Sequence, residues 1–164
     1  MTVNYFAYGS NLLHARLHAR TPSIRNLGIA RLPNHRFSFD KIGGDGSGKC
    51  GIEQTHRSHE VIGVLYRMAK LEKPVLDKIE GVGHGYVDRQ VSVITHRGEI
   101  PAFTYYPTLL EEARKPYDWY KALVVAGAKE NGFPQHYLAM IESITSVIDP
   151  DKNRSTKNFK LIGD

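Results

Sequence analysis

Val3-Asn4-Tyr5-Phe6-Ala7-Tyr8 is a short apolar and aromatic run that stops at Gly9-Ser10-Asn11, the pattern of a buried strand ended by a turn residue. A helix is predicted next. Leu12, Leu13, Ala15 and Leu17 fall on one face, His14, Arg16, His18 and Arg20 mostly on the other, and Pro22 stops the run. A strand turning straight into a helix points free backbone N–H groups and the positive end of the helix dipole at one place, which suits a carboxylate or phosphate. Gly9 permits a close backbone approach. The plainer alternative is that Ser10 or Asn11 merely caps the helix.

Working outward, residues 26–32, 35–40, 50–55 and 61–68 read as strands, and 86–96 with 99–106 as a long hairpin turning at Arg97-Gly98. Residues 42–48 form a glycine-rich loop, and His56, Arg57 and His59 a turn between strands. Helical spacing covers 70–79, ended by Gly81, Gly83 and Gly85, then 117–129 and 135–147, with a break at Asn131-Gly132-Phe133-Pro134. The sum is one α+β domain of six or seven strands and four helices, spanning residues 1–148, followed by a polar C-terminal tail, 149–164.

A length of 164 residues, 41% hydrophobic and 24% charged, fits a single core. Nine Tyr, six Phe and one Trp exclude a disordered chain. No apolar run approaches the ~20 residues that cross a bilayer, and the opening MTVNYFAYGS lacks a basic leader, so a cytoplasmic protein without a membrane partner is expected. The single cysteine, Cys50, excludes an internal disulfide and a multi-cysteine zinc site. Lys plus Arg number 22 against 17 Asp plus Glu, a formal charge of +5, which invites a nucleic-acid reading. Residues 1–60 carry eight of those cations and only four of the anions, so the excess is concentrated around the first loop and helix.

Several motifs fail on their chemistry. Gly43–Cys50, GGDGSGKC, nearly matches a phosphate loop, but Cys50 replaces the magnesium-binding hydroxyl and a strand follows where a helix is required, so a solvated hairpin loop is predicted. His14 and His18 stand four apart without a third ligand, so no metal is expected and a solvated basic face is the better reading. Cys50 has no evident base, and Ser10 lacks the flanking glycines of a nucleophile elbow. Glu80 is more promising. It ends a helix just before the glycine loop, and Val75, Leu76 and Ile79 predict apolar packing there, which would disfavour an ionised carboxylate and make it a useful base. The alternative is a surface glutamate near a helix end.

Four stretches together resemble the γ-glutamylcyclotransferase family: Tyr5 through Leu12, Leu76 through Val82, Thr104-Tyr105-Tyr106, and Gly127 through Pro134. They fall in the family's order and reach from about Tyr5 to Ile148. Ser10-Asn11 after Gly9 is similar to the branch acting on γ-glutamyl amino acids, where others carry Gly-Thr-Leu or Gly-Ser-Leu. The resemblance implies a small mixed β-barrel flanked by helices, no cofactor, and conversion of a γ-glutamyl amino acid or peptide to 5-oxoproline with release of the amine. It also implies that Glu80 is catalytic, that Tyr5, Phe6, Ala7, Tyr8, Gly9, Ser10 and Asn11 form the substrate loop, and that Tyr105 and Tyr120 face the pocket. The partner is then a small γ-glutamyl substrate rather than nucleic acid, and a homodimer is compatible with the family.

Such a cyclisation needs no enzyme nucleophile, because the substrate's own α-amino group attacks its γ-carbonyl; it needs a base, a fold in the substrate and donors for a growing oxyanion. Three rivals stand beside this reading. One removes a γ-glutamyl group from another amine metabolite or antibiotic intermediate on the same fold. Another is a non-catalytic γ-glutamyl-binding protein, and the third a nucleic-acid binder.

Overall fold

The computed structural model describes residues 1–56 and 58–163. Arg57 of the predicted 56–59 turn lies outside them. Among the described residues there are seven strands and five α-helices: β1 Thr2–Ala7, α1 His14–Arg20, β2 Arg25–Pro33, β3 His35–Ile42, β4 Gly48–Gln54, β5 Glu60–Ala69, α2 Lys73–Glu80, β6 Tyr86–Thr95, β7 Gly98–Pro107, α3 Asp118–Glu130, α4 Gln135–Ser143 and α5 Lys152–Phe159. No described helix is long and apolar enough to cross a membrane.

Five strands close a barrel in the order β1-β5-β2-β6-β7, with β1 meeting β7 in parallel at Tyr5 and Phe103 and the other pairs antiparallel. The expected mixed barrel is therefore present. Strand β5 is apolar along almost its whole length, as a strand covered on both faces must be. It pairs with all of β1, from Thr2 opposite Ala69 to Ala7 opposite Val64. Gly63 is required at the end of that ladder, since a Cβ there would stand 2.4 Å from the Ala7 carbonyl oxygen and 2.5 Å from the Phe6 ring. A register shift between Asn26 and Ile29 bends β2 around the barrel, with Gly28 at φ +102° and its N–H donating to Asn26 Oδ1.

Strands β3 and β4 form a separate two-stranded sheet outside the barrel. One apolar core runs through both sheets and beneath α1, α3 and α4, with Phe6, Leu12, Leu17, Tyr66, Phe103, Leu123 and Ile141 fully buried. Each contributes about 1.5–3 kcal/mol.

Two local readings change. Ser10–Leu12 is a 3-10 turn and α1 starts only at His14, because Leu13 is extended, so the loop is not the first turn of α1. Residues 149–164 are polar but carry α5, which Asp151 caps by accepting the Arg154 N–H. Buried Asp149 joins this helix to α3: it accepts from Trp119 Nε1 at 2.7 Å and from Arg154 Nε and Nη2 at 2.6 Å each. The guanidinium holds the Asp149 carboxyl well below the usual carboxylate range.

Candidate active site

The barrel fixes the β1 loop from below. The Leu12 carbonyl accepts hydrogen bonds from Tyr66 Oη and from Asn131 Nδ2, both at 3.0 Å. Helix α3 crosses against the loop at Gly127, where a Cβ would come within 2.5 Å of the Leu13 nitrogen. The Gly127–Pro134 motif is thus a clamp on the loop rather than a lining of the pocket. Gly9 is needed for a reason other than ligand approach: a Cβ there would meet Cys50 Cβ of β4 at 2.8 Å.

A narrow cavity of about 30 Å³ lies above this loop, lined by Tyr5, Tyr8, Gly9, Ser10, Asn11, Cys50, Glu80, Tyr86, Tyr105 and Tyr120. Eight of the residues singled out in the sequence therefore meet there, although they come from β1, its loop, α2, β7 and α3. Phe6 and Ala7 do not. Both are wholly buried in the core, so within the Tyr5–Tyr8 run it is the two tyrosines that reach the cavity.

The tyrosines are held by one another's backbone and by the hairpin. Tyr8 Oη donates to the Tyr105 carbonyl at 2.5 Å, Tyr86 Oη donates to the Cys50 carbonyl at 2.6 Å, and the Cys50 N–H donates to Tyr120 Oη at 3.1 Å. Tyr105 Oη donates to Asp77 Oδ1 at 2.7 Å, one turn before Glu80, and Lys73 Nζ holds the same carboxylate at 2.8 Å. Burial pushes the phenols of Tyr5, Tyr8, Tyr86, Tyr105 and Tyr120 above their ordinary value, so they act as neutral donors and acceptors. Burial likewise pushes the Cys50 thiol up to about 12, which keeps it protonated and unreactive although it lines the cavity.

Glu80 sits in a polar setting. Val75 and Ile79 are 50% and 45% exposed, so the apolar packing expected around this helix end is absent and only Leu76 is buried. Instead Glu80 Oε1 accepts from Asn11 Nδ2 at 2.8 Å and from Arg20 Nη1 at 2.7 Å. The same Arg20 nitrogen donates to Asn11 Oδ1 at 2.9 Å, and Asn11 Nδ2 also donates to Tyr5 Oη at 3.0 Å. Asn11 therefore does not cap a helix; it closes a triangle with Arg20 and Glu80. The turn after α2 keeps the carboxylate in place, with Gly81 at φ +77° and its N–H on the Lys78 carbonyl.

Among the described residues no group of three or more His, Cys, Asp or Glu side chains is placed to hold a metal ion. The His14 and His18 rings stack with their centres 5.6 Å apart.

Residues 60–141 match the model of the AIG2-like family. The chain is 41% identical to the γ-glutamylcyclotransferase of Mus musculus over 149 residues, covering 87% of this chain and 79% of that protein. It is 40% identical to the Homo sapiens γ-glutamylcyclotransferase over 150 residues, covering 85% and 77%. A solved structure of a γ-glutamyl cyclotransferase superposes with a TM-score of 0.83 at 34% identity over 96% of this chain and 99% of that one. The chain belongs to the γ-glutamylcyclotransferase family.

In this member of the γ-glutamylcyclotransferase family a wider mouth of about 210 Å³ shares Ser10, Glu80, Tyr86 and Tyr120 with the inner cavity and adds Arg16, Arg20, Lys41 and Lys49. Lys41 and Lys49 escaped the sequence reading, and of Arg16 and Arg20 it saw only the concentration of positive charge around the first loop and helix. Arg16 and Arg20 looked like a solvated face, yet Arg16 Nε donates to Ser10 Oγ at 3.1 Å and Arg20 holds Glu80. Burial, then Arg20, lowers the Arg16 guanidinium to about 10, which leaves it charged at neutral pH. The 42–48 loop is a hairpin as expected but is not simply solvated: Ser47 is buried, and Lys49 Nζ lies 4.5 Å from the Tyr120 ring centre and 4.7 Å from that of Trp119 while pairing with Asp45 at 2.9 Å. The signal available in the sequence was the four-residue step from Arg16 to Arg20, which puts both on the helix face above Ser10 and Asn11.

Proposed function

We propose that this chain acts as a γ-glutamylcyclotransferase and that Glu80 is its general acid and base. The observation that carries this reading is the position of the Glu80 carboxylate, anchored through Oε1 by Asn11 and Arg20 and lining both the inner cavity and the mouth. In the reaction the α-ammonium of the glutamyl group gives a proton to Glu80 and the free amine attacks the γ-carbonyl carbon. A C–N bond forms in the five-membered ring, the attacking nitrogen sheds a second proton as it becomes the lactam N–H, the amide C–N bond breaks, and both protons, relayed in turn by Glu80, leave on the departing amine as its ammonium. Proton transfer of this kind contributes roughly 10²–10⁴-fold.

The loop from Tyr8 to Asn11 and the walls Tyr5, Tyr105 and Tyr120 fold the glutamyl chain back on itself, which is positioning work. Because the nucleophile belongs to the substrate, no enzyme thiolate or alkoxide is required, in keeping with a protonated Cys50. The reading includes a small-molecule partner, no nucleic acid, no cofactor, a cytoplasmic location and an assembly compatible with a homodimer. Relatives bearing the family name over most of their length favour it over the binding-protein alternative.

Incubation with γ-glutamyl-alanine and assay of 5-oxoproline tests the activity. Glu80→Gln is expected to lower kcat by at least about 10²-fold while calorimetric binding of the substrate persists; turnover at the wild-type rate removes Glu80 as the base.

A further inference from the structure

Glu80 lines not only the inner cavity and the mouth but also a groove of about 480 Å³ between the β3–β4 hairpin and the loop after α2, bordered by Gly43, Gly44, Gly81 and Gly85. The carboxylate stands at the junction of a narrow pocket and an open groove. In a cyclisation those two spaces have distinct occupants: the ring forms on one side of the proton carrier, and the amine leaves on the other. Lys41 is the cation common to the mouth and the groove.

The cations of the mouth differ in what they already hold. Arg20 is paired with Glu80 and Lys49 with Asp45. Among the described residues Arg16 donates only to neutral oxygens, Ser10 Oγ of the loop and Asn158 Oδ1 of α5. Lys41 has no carboxylate within 4.0 Å among the described residues, and its ammonium lies over the Tyr86 ring, 4.6 Å from the centre. Burial lowers the Lys41 ammonium from its ordinary value, with only the longer-range pull of Glu80 and Asp45 against it. Among the described residues Arg16 and Lys41 are thus the two cations of the mouth without a carboxylate partner, and they share that mouth with Glu80; a γ-glutamyl amino acid carries two carboxylates, one on each side of the reacting bond.

We propose that Lys41 receives the carboxylate of the departing amino acid, so that the groove selects γ-glutamyl amino acids over γ-glutamyl amines that lack this group. Arg16, on the loop side, is left to face the glutamyl carboxylate. The inference rests on the activity proposed above and names Lys41 as the residue that sets its amine-side specificity.

The test compares γ-glutamyl-alanine with γ-glutamyl-ethylamide, which differs only by that carboxylate. Wild type is expected to prefer the alanine compound by roughly 10–100-fold in kcat/KM, the range of one charge-assisted hydrogen bond. Lys41→Gln should erase the preference by raising KM for γ-glutamyl-alanine while leaving the ethylamide unchanged, and Lys41→Arg should keep it. Calorimetry of both compounds on Glu80→Gln, with and without Lys41→Gln, reads the same subsite without turnover. A Lys41-dependent affinity difference there upholds the subsite even if 5-oxoproline is never released, an outcome that overturns the activity alone. Equal loss on both compounds, or no loss, overturns the assignment of Lys41.

Discussion

The two walls of the site are held by different means. The inner wall, the Tyr8–Leu13 loop, is tied to the barrel and to α3 through the Leu12 carbonyl, Tyr66, Asn131 and the contact at Gly127. The outer wall is a two-stranded sheet outside the barrel, joined to the rest near the site by Cys50, Tyr86 and Tyr120 and at its tip by Gly48 N–H on the Lys115 carbonyl. The inner wall is part of the core, so disturbing it damages fold and chemistry together. The outer wall shares the core through Phe39, Cys50 and Ile52, but its open side, which carries Lys41 and Lys49, can change what is bound while the barrel stays intact.

The walls meet where Gly9 faces Cys50, and the largest effect is expected there. Gly9→Ala places a methyl group 2.8 Å from Cys50 Cβ and 3.3 Å from its sulfur, so the hairpin must shift outward. Overpacking of this kind costs about 2 kcal/mol, a fall in Tm of about 4–8 °C, and the displaced wall should reduce kcat/KM about 10²-fold. The double variant Gly9→Ala, Cys50→Gly removes the opposing atoms and should recover much of the activity. Full activity and unchanged Tm in the single variant would show that the walls are not in contact as described.

A smaller effect is expected at the outer edge of the inner wall, where α5 carries Asn158 to Arg16 and Asp149 ties α5 to Trp119. The Asp149 carboxyl is depressed in the folded state, so its contribution to stability is present above the unfolded value of about 3.9 and is lost as pH falls towards the lower folded value. Thermal unfolding of wild type and Asp149→Asn from pH 7 to pH 2 should show wild type more stable at neutral pH and the gap closing below about pH 4. A gap independent of pH removes the ionised Asp149 as its cause. KM for γ-glutamyl-alanine should rise in the variant through the loosened Arg16.

The same contrast explains what the sequence made legible. Tyr5 through Asn11 and Glu80 stood out because a strand ending on glycine and a helix ending on Glu-Gly are local patterns, and local sterics fix both. The strands, β5 above all, were legible in their alternating or fully apolar runs, but their closure into a barrel came only from the family resemblance. The surroundings of Glu80 were misread because helical periodicity reports which face is apolar, not what covers it; Val75 and Ile79 lie on that face and remain exposed. Lys41 and Lys49, and the partners of Arg16 and Arg20, were missed because their roles depend on long-range placement, from Arg20 to Glu80 across sixty residues; the four-residue step puts the two arginines on one face but does not say what that face meets. Helix α5 was read as tail because it has no apolar stripe: it is held by the Asp149 ion pair, by its cap and by Phe159 at its end, which packs against the core.

The smallest effect concerns the second lysine of the hairpin. Lys49 and Lys41 both line the mouth, but Lys49 is already enclosed by Trp119 and Tyr120 and paired with Asp45, and burial lowers its ammonium while Asp45 works against that change. Lys49→Met keeps the apolar stem between the rings and removes the charge. The loss should be about 1 kcal/mol, a Tm decrease of about 2–4 °C, from the cation–ring contacts and the shielded ion pair. KM for γ-glutamyl-alanine should change less than about threefold, since a cation committed to Asp45 has little left for a substrate carboxylate. Measured beside Lys41→Gln, the pair should cross over: one lysine moves stability and spares affinity, the other moves affinity and spares stability. If both variants raise KM equally, the mouth acts as a diffuse positive field rather than through one ammonium, and the outer wall loses its division into a structural and a recognising lysine.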